Sequence, residues 1–250
     1  MKTVTLLVSA LEDAERIYGI LSESLSVVQV IVEEKVPRKT VLKRRIRRYG
    51  VIAVFGQVLM VLFTSVLRAL SLPRIKELNR LMPQKKIPEK QLQYVSSINS
   101  KEALELLERM PSSALLVYGT RLFSKTTLSH IHTPILNIHA GITPRYRGGH
   151  GAYWALREGH PEFAGVTLHY IDEGIDTGEI ISQATIPITK KDNFVTYPLL
   201  QLKEGVVLAK NFLIEGRRSV LSQSPEPSDD ILSHPTLWED VYYWTTSGVH

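Results

Sequence analysis

The chain has 250 residues, 44% of them hydrophobic, with a formal net charge of +5 and a sequence pI near 9.3. That length suits one α/β domain of ordinary size, or one domain with a small appendage, and is enough to bury a real core. The absence of cysteine excludes disulfides, thiolate nucleophiles and Cys-ligated zinc, while a mild positive excess is compatible with anionic substrates, nucleic acid or a membrane surface and selects none of them.

The opening MKTVTLLVSALEDAERI lacks the long apolar core and small-residue cleavage site of a signal peptide. A cytoplasmic location is therefore expected. Residues 3–8 alternate and are β-branched, which predicts a first strand; 12–22 read as a helix. The nearly all-apolar VVQVIV at 27–32 reads as a parallel strand covered on both faces. This is the start of a doubly wound sheet.

The pattern then breaks. RKTVLKRRIRR (38–48) carries seven basic residues and no acid, and VIAVFGQVLMVLFTSVL (51–67) is seventeen residues without a charge. About sixty residues separate strand two from the next strand, against the few residues plus one helix of an ordinary connection. Residues 36–92 are therefore read as a helical insertion. Seventeen residues reach about 25 Å as a helix, short of the usual span of about twenty residues. Three readings stay open: a membrane-spanning helix, an interfacial helix through 38–67 that meets anionic head groups, and a helix buried in a homodimer interface or capping a cleft.

The sheet pattern resumes near Gln93. A strand is expected over 94–98, then a helix over 100–110 capped by Ser100. Next come a strand at 114–118, a helix at 124–130 and a strand at 135–139. A helix at 149–158, strands at 165–171 and 179–188, and a long helix over 192–215 kinked near Pro198 complete the body. Residues 222–233 are Ser/Pro/Asp-rich loop, and the aromatic 237–244 is placed against the body. The catalytic unit is thus drawn as 1–220 interrupted by 36–92, with 221–250 as a C-terminal tail.

ILNIHAGITPRYRG (135–148) ends an apolar strand with Asn137 and His139 on one side, at the carboxyl end where open α/β sheets form ligand crevices. IDEGIDTGEII (171–181) adds a glycine-punctuated acidic loop with Asp172 and Asp176. An Asn amide can donate to an oxygen that becomes negative, a His can take or relay a proton, and an Asp can orient the ring. No Ser or Cys nucleophile is implied. The same residues are also compatible with a structural Asn-x-His and an ordinary turn. His132, His150, His160 and His169 match no metal-ligand spacing, and no metal is expected. Residues alone lead to a transferase or hydrolase of an acyl group.

NIHAGITPRYRGGHGAYWAL followed by GVTLHYIDEGIDTGEII resembles the folate-dependent formyltransferase family, which includes glycinamide ribonucleotide, methionyl-tRNA and sugar-nucleotide formyltransferases. Asn137, His139, Pro144, Gly148, Asp172, Asp176 and Gly178 fill the family pattern. The resemblance covers about residues 94–188, is vague before that and absent from the insertion. It implies a Rossmann-like, mostly parallel sheet and 10-formyltetrahydrofolate as cosubstrate. Asn137 and His139 would stabilise the oxyanion, and His139 and Asp176 would handle the proton. Gly119, Arg121, Leu122, Phe123 and Asp172 would line the pterin site, although Leu122 and Phe123 could equally be core.

Departures from the family narrow the acceptor. The first loop, VSALEDAER, has no glycine, so the phosphate-cradling turn of the glycinamide ribonucleotide enzymes is missing. The chain is too short for the appended module of the methionyl-tRNA enzymes, and no nucleic acid is expected. The favoured acceptor is the primary amine of a nucleotide- or lipid-linked amino sugar, as in polysaccharide biosynthesis. The alternatives are an amino-acid-derived amine (hydroxyornithine or a peptide intermediate), water, and a non-catalytic homologue that binds membrane or nucleic acid. Acceptor contacts are expected in the first part of the chain, in 145–154, where Tyr153 and Trp154 could stack or be core, and in the tail. On the interfacial reading the protein is peripheral at the inner membrane face.

Overall fold

The computed structural model describes residues 2–247. Seven strands form one sheet: β1 (Thr3–Val8), β2 (Ser26–Glu33), β3 (Leu92–Val95), β4 (Ala114–Tyr118), β5 (Ile135–His139), β6 (Gly165–Tyr170) and β7 (Ile180–Thr185). The spatial order is β3-β2-β1-β4-β5-β6-β7. The pairings from β3 to β5 are all parallel, whereas β6 is antiparallel to both β5 and β7. This is the doubly wound, mostly parallel sheet expected from the sequence. The chain leaves β1 toward β2 and β3, then returns to place β4 on the other side of β1. The crevice of such a sheet opens at the carboxyl ends flanking that reversal.

Alternation along the strands sends side chains to two cores. Val4, Leu6 and Val8 of β1, with Leu136 and Ile138 of β5, pack under α1 (Leu11–Leu21) and α7 (Tyr197–Glu215). Leu7, Leu115, Val117 and Ile135 pack on the opposite face with residues of α4 (Lys101–Glu108) and α5 (Lys125–His130). Asn137 and His139 share the side of Ile135 and so end up on the α4/α5 face at the strand's carboxyl end.

The insertion is helical. α2 (Arg38–Leu70) is broken at Gly50 (φ 81, ψ 165), and α3 (Leu72–Leu81) follows directly. Met60 of α2 and Leu78 of α3 enter a third apolar cluster with Tyr146, Tyr153 and Phe194. Tyr153 lies in α6 (Gly151–Arg157) and is 1% exposed, so it is core. Trp154 packs beside that cluster and donates its indole N–H to the Ser233 carbonyl (3.0 Å), so it too serves the framework.

Three sequence expectations shift. The third strand lies over 92–95, not 94–98, because Ile98 turns away to donate its N–H to Glu33 (2.9 Å). The last long helix starts at Tyr197, since residues 192–196 form a capping turn in which Asn193 accepts from the Val195 and Tyr197 N–H groups. Pro198 sits in the first turn, where a missing N–H costs nothing, so there is no kink at it. Finally, residues 221–247 are tied to the body. Leu232 exchanges backbone hydrogen bonds with Arg147 and Gly149 (3.0 Å each), and α8 (Leu237–Ser247) packs on α2.

Candidate active site

A cavity of about 460 Å³ opens at the ends of β4 and β5. Asn137, His139, His169 and Asp176 line one side; residues 119–123 and 172–174 line the other. Antiparallel pairing of β5 with β6 sets Asn137 opposite His169 and His139 opposite Thr167. Asp176 reaches the same point from the loop between β6 and β7, with its backbone in the left-handed region (φ 53), which Asp tolerates better than most residues.

The four side chains form one network. Asn137 Nδ2 donates to His169 Nε2 (3.1 Å) and to Asp176 Oδ1 (3.4 Å). His169 Nδ1 donates to the Tyr170 carbonyl (2.7 Å), which leaves Nε2 as the acceptor of the neutral ring. His139 Nε2 donates to the Tyr146 carbonyl (2.7 Å), while its Nδ1 faces Asp176 Oδ2 at 3.3 Å. Asp176 Oδ2 also accepts the Gly148 N–H (3.0 Å). Gly148 has φ +90, and a Cβ there would meet the Leu232 carbonyl at 2.5 Å, so only glycine can bring that N–H to the carboxylate.

Burial by itself would raise the Asp176 carboxyl, but the neighbouring His169 and His139 rings and the Gly148 N–H hold it down to about 2. Burial pushes His139 below the ordinary imidazole range, against the pull of Asp176 and the Tyr146 carbonyl. The 3.3 Å contact between His139 Nδ1 and Asp176 is favourable only with a proton between them. The pair is therefore a seat for one mobile proton at the wall of the cavity.

All five residues expected at the pterin site line the cavity, but they differ in what they can offer. Gly119 (φ 69) turns the chain out of β4. Leu122 is exposed at 58% and offers an apolar wall. Phe123 packs into the cluster behind the sheet. Arg121 is committed elsewhere: its guanidinium donates to the Ser96 carbonyl (2.9 Å) and pairs with Glu33 (3.5 Å), and its backbone N–H donates to Glu33 as well (2.8 Å). Asp172 accepts from Gly174 N–H (3.0 Å) and Thr177 Oγ1 (2.8 Å) and so shapes its own loop. His139 also differs from expectation, because both its nitrogens face protein groups. Its polar contact within the site is with Asp176.

His169 is the residue that sequence reasoning missed. It appeared only as one of several scattered imidazoles, and its alternation with Thr167 was the sole signal available. Which side of β6 faces Asn137 is set by strand register, and register is a tertiary fact. Among the described residues no cluster of three His, Asp or Glu side chains is arranged to hold a metal ion.

A second cavity, of about 480 Å³, adjoins the first through Tyr118. Glu12, Asp13 and Arg16 of α1, His150, and Thr64 and Arg68 of α2 line it. The start of α1 is acidic and Arg16 is already paired with Glu12 and with Asp13 (2.9 Å). An anion at this helix N-terminus would meet two carboxylates.

A sequence profile described as formyl transferase matches residues 72–198. The chain belongs to the formyl transferase family. That match begins at α3, so residues 72–92 of the insertion fall within the matched span, where the sequence resemblance saw none. The methionyl-tRNA formyltransferase of Listeria welshimeri is 37% identical over 142 residues, covering 56% of this chain and 43% of that protein. That of Syntrophus aciditrophicus is 38% identical over 93 residues, 36% of this chain and 29% of that protein. The chain thus spans less than half the length of these curated relatives. Among solved structures, glycinamide ribonucleotide transformylase 1 from Symbiobacterium toebii superposes with a TM-score of 0.56 at 20% identity, covering 88% of this chain and 92% of that one. A sugar N-formyltransferase from Shewanella gives 0.51 at 12% identity, over 90% and 76%. At these identities the structures share the formyl transferase fold with this chain.

Proposed function

We propose that this protein is an N-formyltransferase that moves the formyl group of 10-formyltetrahydrofolate to a primary amine. The observation that carries this reading is the convergence of Asn137, His139, His169 and Asp176 on one wall of a cavity whose opposite wall is the Gly119–Phe123 segment and the Asp172 loop. A flat heterocycle fits between an apolar segment and a glycine-rich loop, and the family supplies the donor. The amine nitrogen forms a bond to the formyl carbon as the carbon's bond to the folate nitrogen breaks. Asn137 turns its amide N–H toward the carbonyl oxygen as that oxygen gains charge. Asp176 accepts the amine proton, with His139 and His169 holding the carboxylate in place, and the proton leaves on the departing folate nitrogen.

For the acceptor, the glycine-free first loop and the Glu12/Asp13 pair at the start of α1 disfavour a phosphate in the second cavity and suit a cationic amine there. The acceptor we favour is the amine of a nucleotide- or lipid-linked amino sugar, with any phosphate held away from that helix end. The named relatives keep a second acceptor in view, an aminoacyl-tRNA amine.

The test is incubation with 10-formyltetrahydrofolate and a panel of amino-sugar nucleotides, amino acids and charged tRNA, read as a formyl mass gain on the acceptor. Asn137→Ala and Asp176→Asn are each expected to lower turnover by about 10²–10³-fold while the circular dichroism spectrum is retained. Near-normal turnover in either variant would falsify the site assignment. Formate release that needs no amine would make water the acceptor.

A further inference from the structure

α2 is apolar on the side that faces away from the protein. Val51, Ile52, Phe55, Val58, Leu62 and Val66 recur at helical spacing and are exposed, Ile52 at 79% and Phe55 at 59%. The opposite side, with Gly56, Gln57 and Met60, is buried. Gln57 Nε2 donates to the His234 carbonyl (3.0 Å) and Trp238 lies against Gly56. By length and composition α2 could cross a membrane. Fastened along one side to a sheet domain, however, it cannot be surrounded by lipid.

Two neighbours of this strip bear on its partner. Before the break at Gly50, residues 38–48 carry seven basic side chains and no acid. All but Arg45 are exposed, and none forms an ion pair among the described residues. Beside α2, the α8 helix presents Trp238 and Tyr242 outward, 45% and 60% exposed. An apolar strip bounded by a cationic helix and by indole and phenol rings has the chemistry of a lipid interface. A contiguous exposed patch of this kind marks a binding surface, and its flanking charge complements anionic head groups.

We propose that α2, flanked by residues 38–48 and by α8, docks this protein flat on an anionic lipid bilayer. The apolar strip sits at the acyl boundary and the basic helix among the head groups. Docking has a consequence for the acceptor, which rests on the formyl-transfer reading above. The second cavity lies beneath the same helix, with Thr64 and Arg68 in its wall, and it shares Tyr118 with the catalytic cavity. A docked protein therefore presents that cavity to amines carried on lipids in the membrane.

Docking is tested without any formyl donor, so its failure and the failure of the catalytic reading are separate results. The full chain is floated with phosphatidylglycerol/phosphatidylethanolamine vesicles and with pure phosphatidylcholine vesicles. The expected result is flotation with the anionic vesicles only, weakening as salt is raised. The double variant I52D/F55D and the charge-reversed R44E/R47E are each expected to bind at least about ten-fold less. Both keep the wild-type circular dichroism spectrum, since all four side chains are exposed. The proposal is overturned if the wild type stays unbound, or if both variants float normally. It is also overturned if alkaline carbonate fails to extract the bound protein, which would mean a spanning helix. Two further overturning results are a vesicle-free dimer that I52D/F55D dissociates, and retention of bulk tRNA without vesicle binding.

Discussion

His150 begins α6 in a left-handed conformation (φ 62). Its ring stacks on Phe194 at 4.6 Å and meets His234 edge-on at 4.9 Å. Burial, with His234 and Arg45 nearby, takes this imidazole down to about 3. The unfolded chain takes up that proton near pH 6.5, and the folded protein does not until about pH 3. Between those values the unfolded state binds more protons, so stability falls as pH falls, by about 1.4 kcal/mol per pH unit for a fully titrating group. Urea unfolding at pH 7, 6 and 5 should show this slope. His150→Asn, which tolerates the left-handed backbone and cannot titrate, should reduce it, leaving the part due to His139 and His234, whose imidazoles burial also lowers. An unchanged slope would assign the acid sensitivity elsewhere. Asp176 has the same sign in a lower pH window. Its depressed carboxyl contributes stability above the ordinary carboxylate range that is lost as pH falls through about 2, so it adds nothing to the change between pH 7 and 5.

At the scale of elements, the insertion is held to the domain by a small number of specific contacts. Arg74 of α3 donates to both carboxylate oxygens of Asp192 (2.8 and 2.9 Å), and the Asp192 side chain is fully buried. Asp192 also accepts from Thr189, just before the turn that starts α7. Removing one partner of a buried pair strands the other charge. Arg74→Leu should therefore cost about 3 kcal/mol in chemical denaturation, and a loss under about 1 kcal/mol would mean that Thr189 and water replace the guanidinium. Neither Arg74 nor Asp192 stood out in the sequence, because a pair 118 positions apart has no local signature. Ser100, by contrast, was legible: its hydroxyl accepts from Ala103 N–H (3.2 Å), an interaction written into four consecutive residues.

Across the whole molecule, stability should be uneven. β1 and β4 sit mid-sheet with both faces covered, and Leu6, Leu7 and Leu115 are wholly buried. Residues 38–49, mostly exposed, precede a glycine break. Hydrogen exchange should find 38–49 among the fastest amides and β1 and β4 among the slowest. Anionic vesicles should slow exchange in 38–67 while leaving the sheet unchanged. Equal protection of the basic helix and β4 would contradict this distribution. The C-terminal segment also belongs to this scale. Tyr153 donates its hydroxyl to Asp240 (2.8 Å), and Arg157 lies 3.4 Å over the Tyr243 ring. Residues 221–247 thus close the α2/α6 side of the domain, and Leu232 braces the Gly148 turn whose N–H donates to Asp176.

What the sequence by itself determined was local. Period-two apolar runs marked strands, capping residues marked helix starts, and the Asn-x-His strand end with the Asp loop marked the family and a candidate site. These signals are local because backbone alternation and caps act over a few residues. The tertiary structure alone decided what depends on register and distant contact. The antiparallel return of β6 brings His169 to Asn137, Glu33 and the Ser96 carbonyl engage the Arg121 guanidinium, and Tyr146 occupies the outer nitrogen of His139. It also decided which side of α2 is buried. A run of seventeen uncharged residues reads the same whether it is core, span or interface. Only the anchoring of Gly56, Gln57 and Met60 leaves Ile52 and Phe55 facing outward, beside the basic helix.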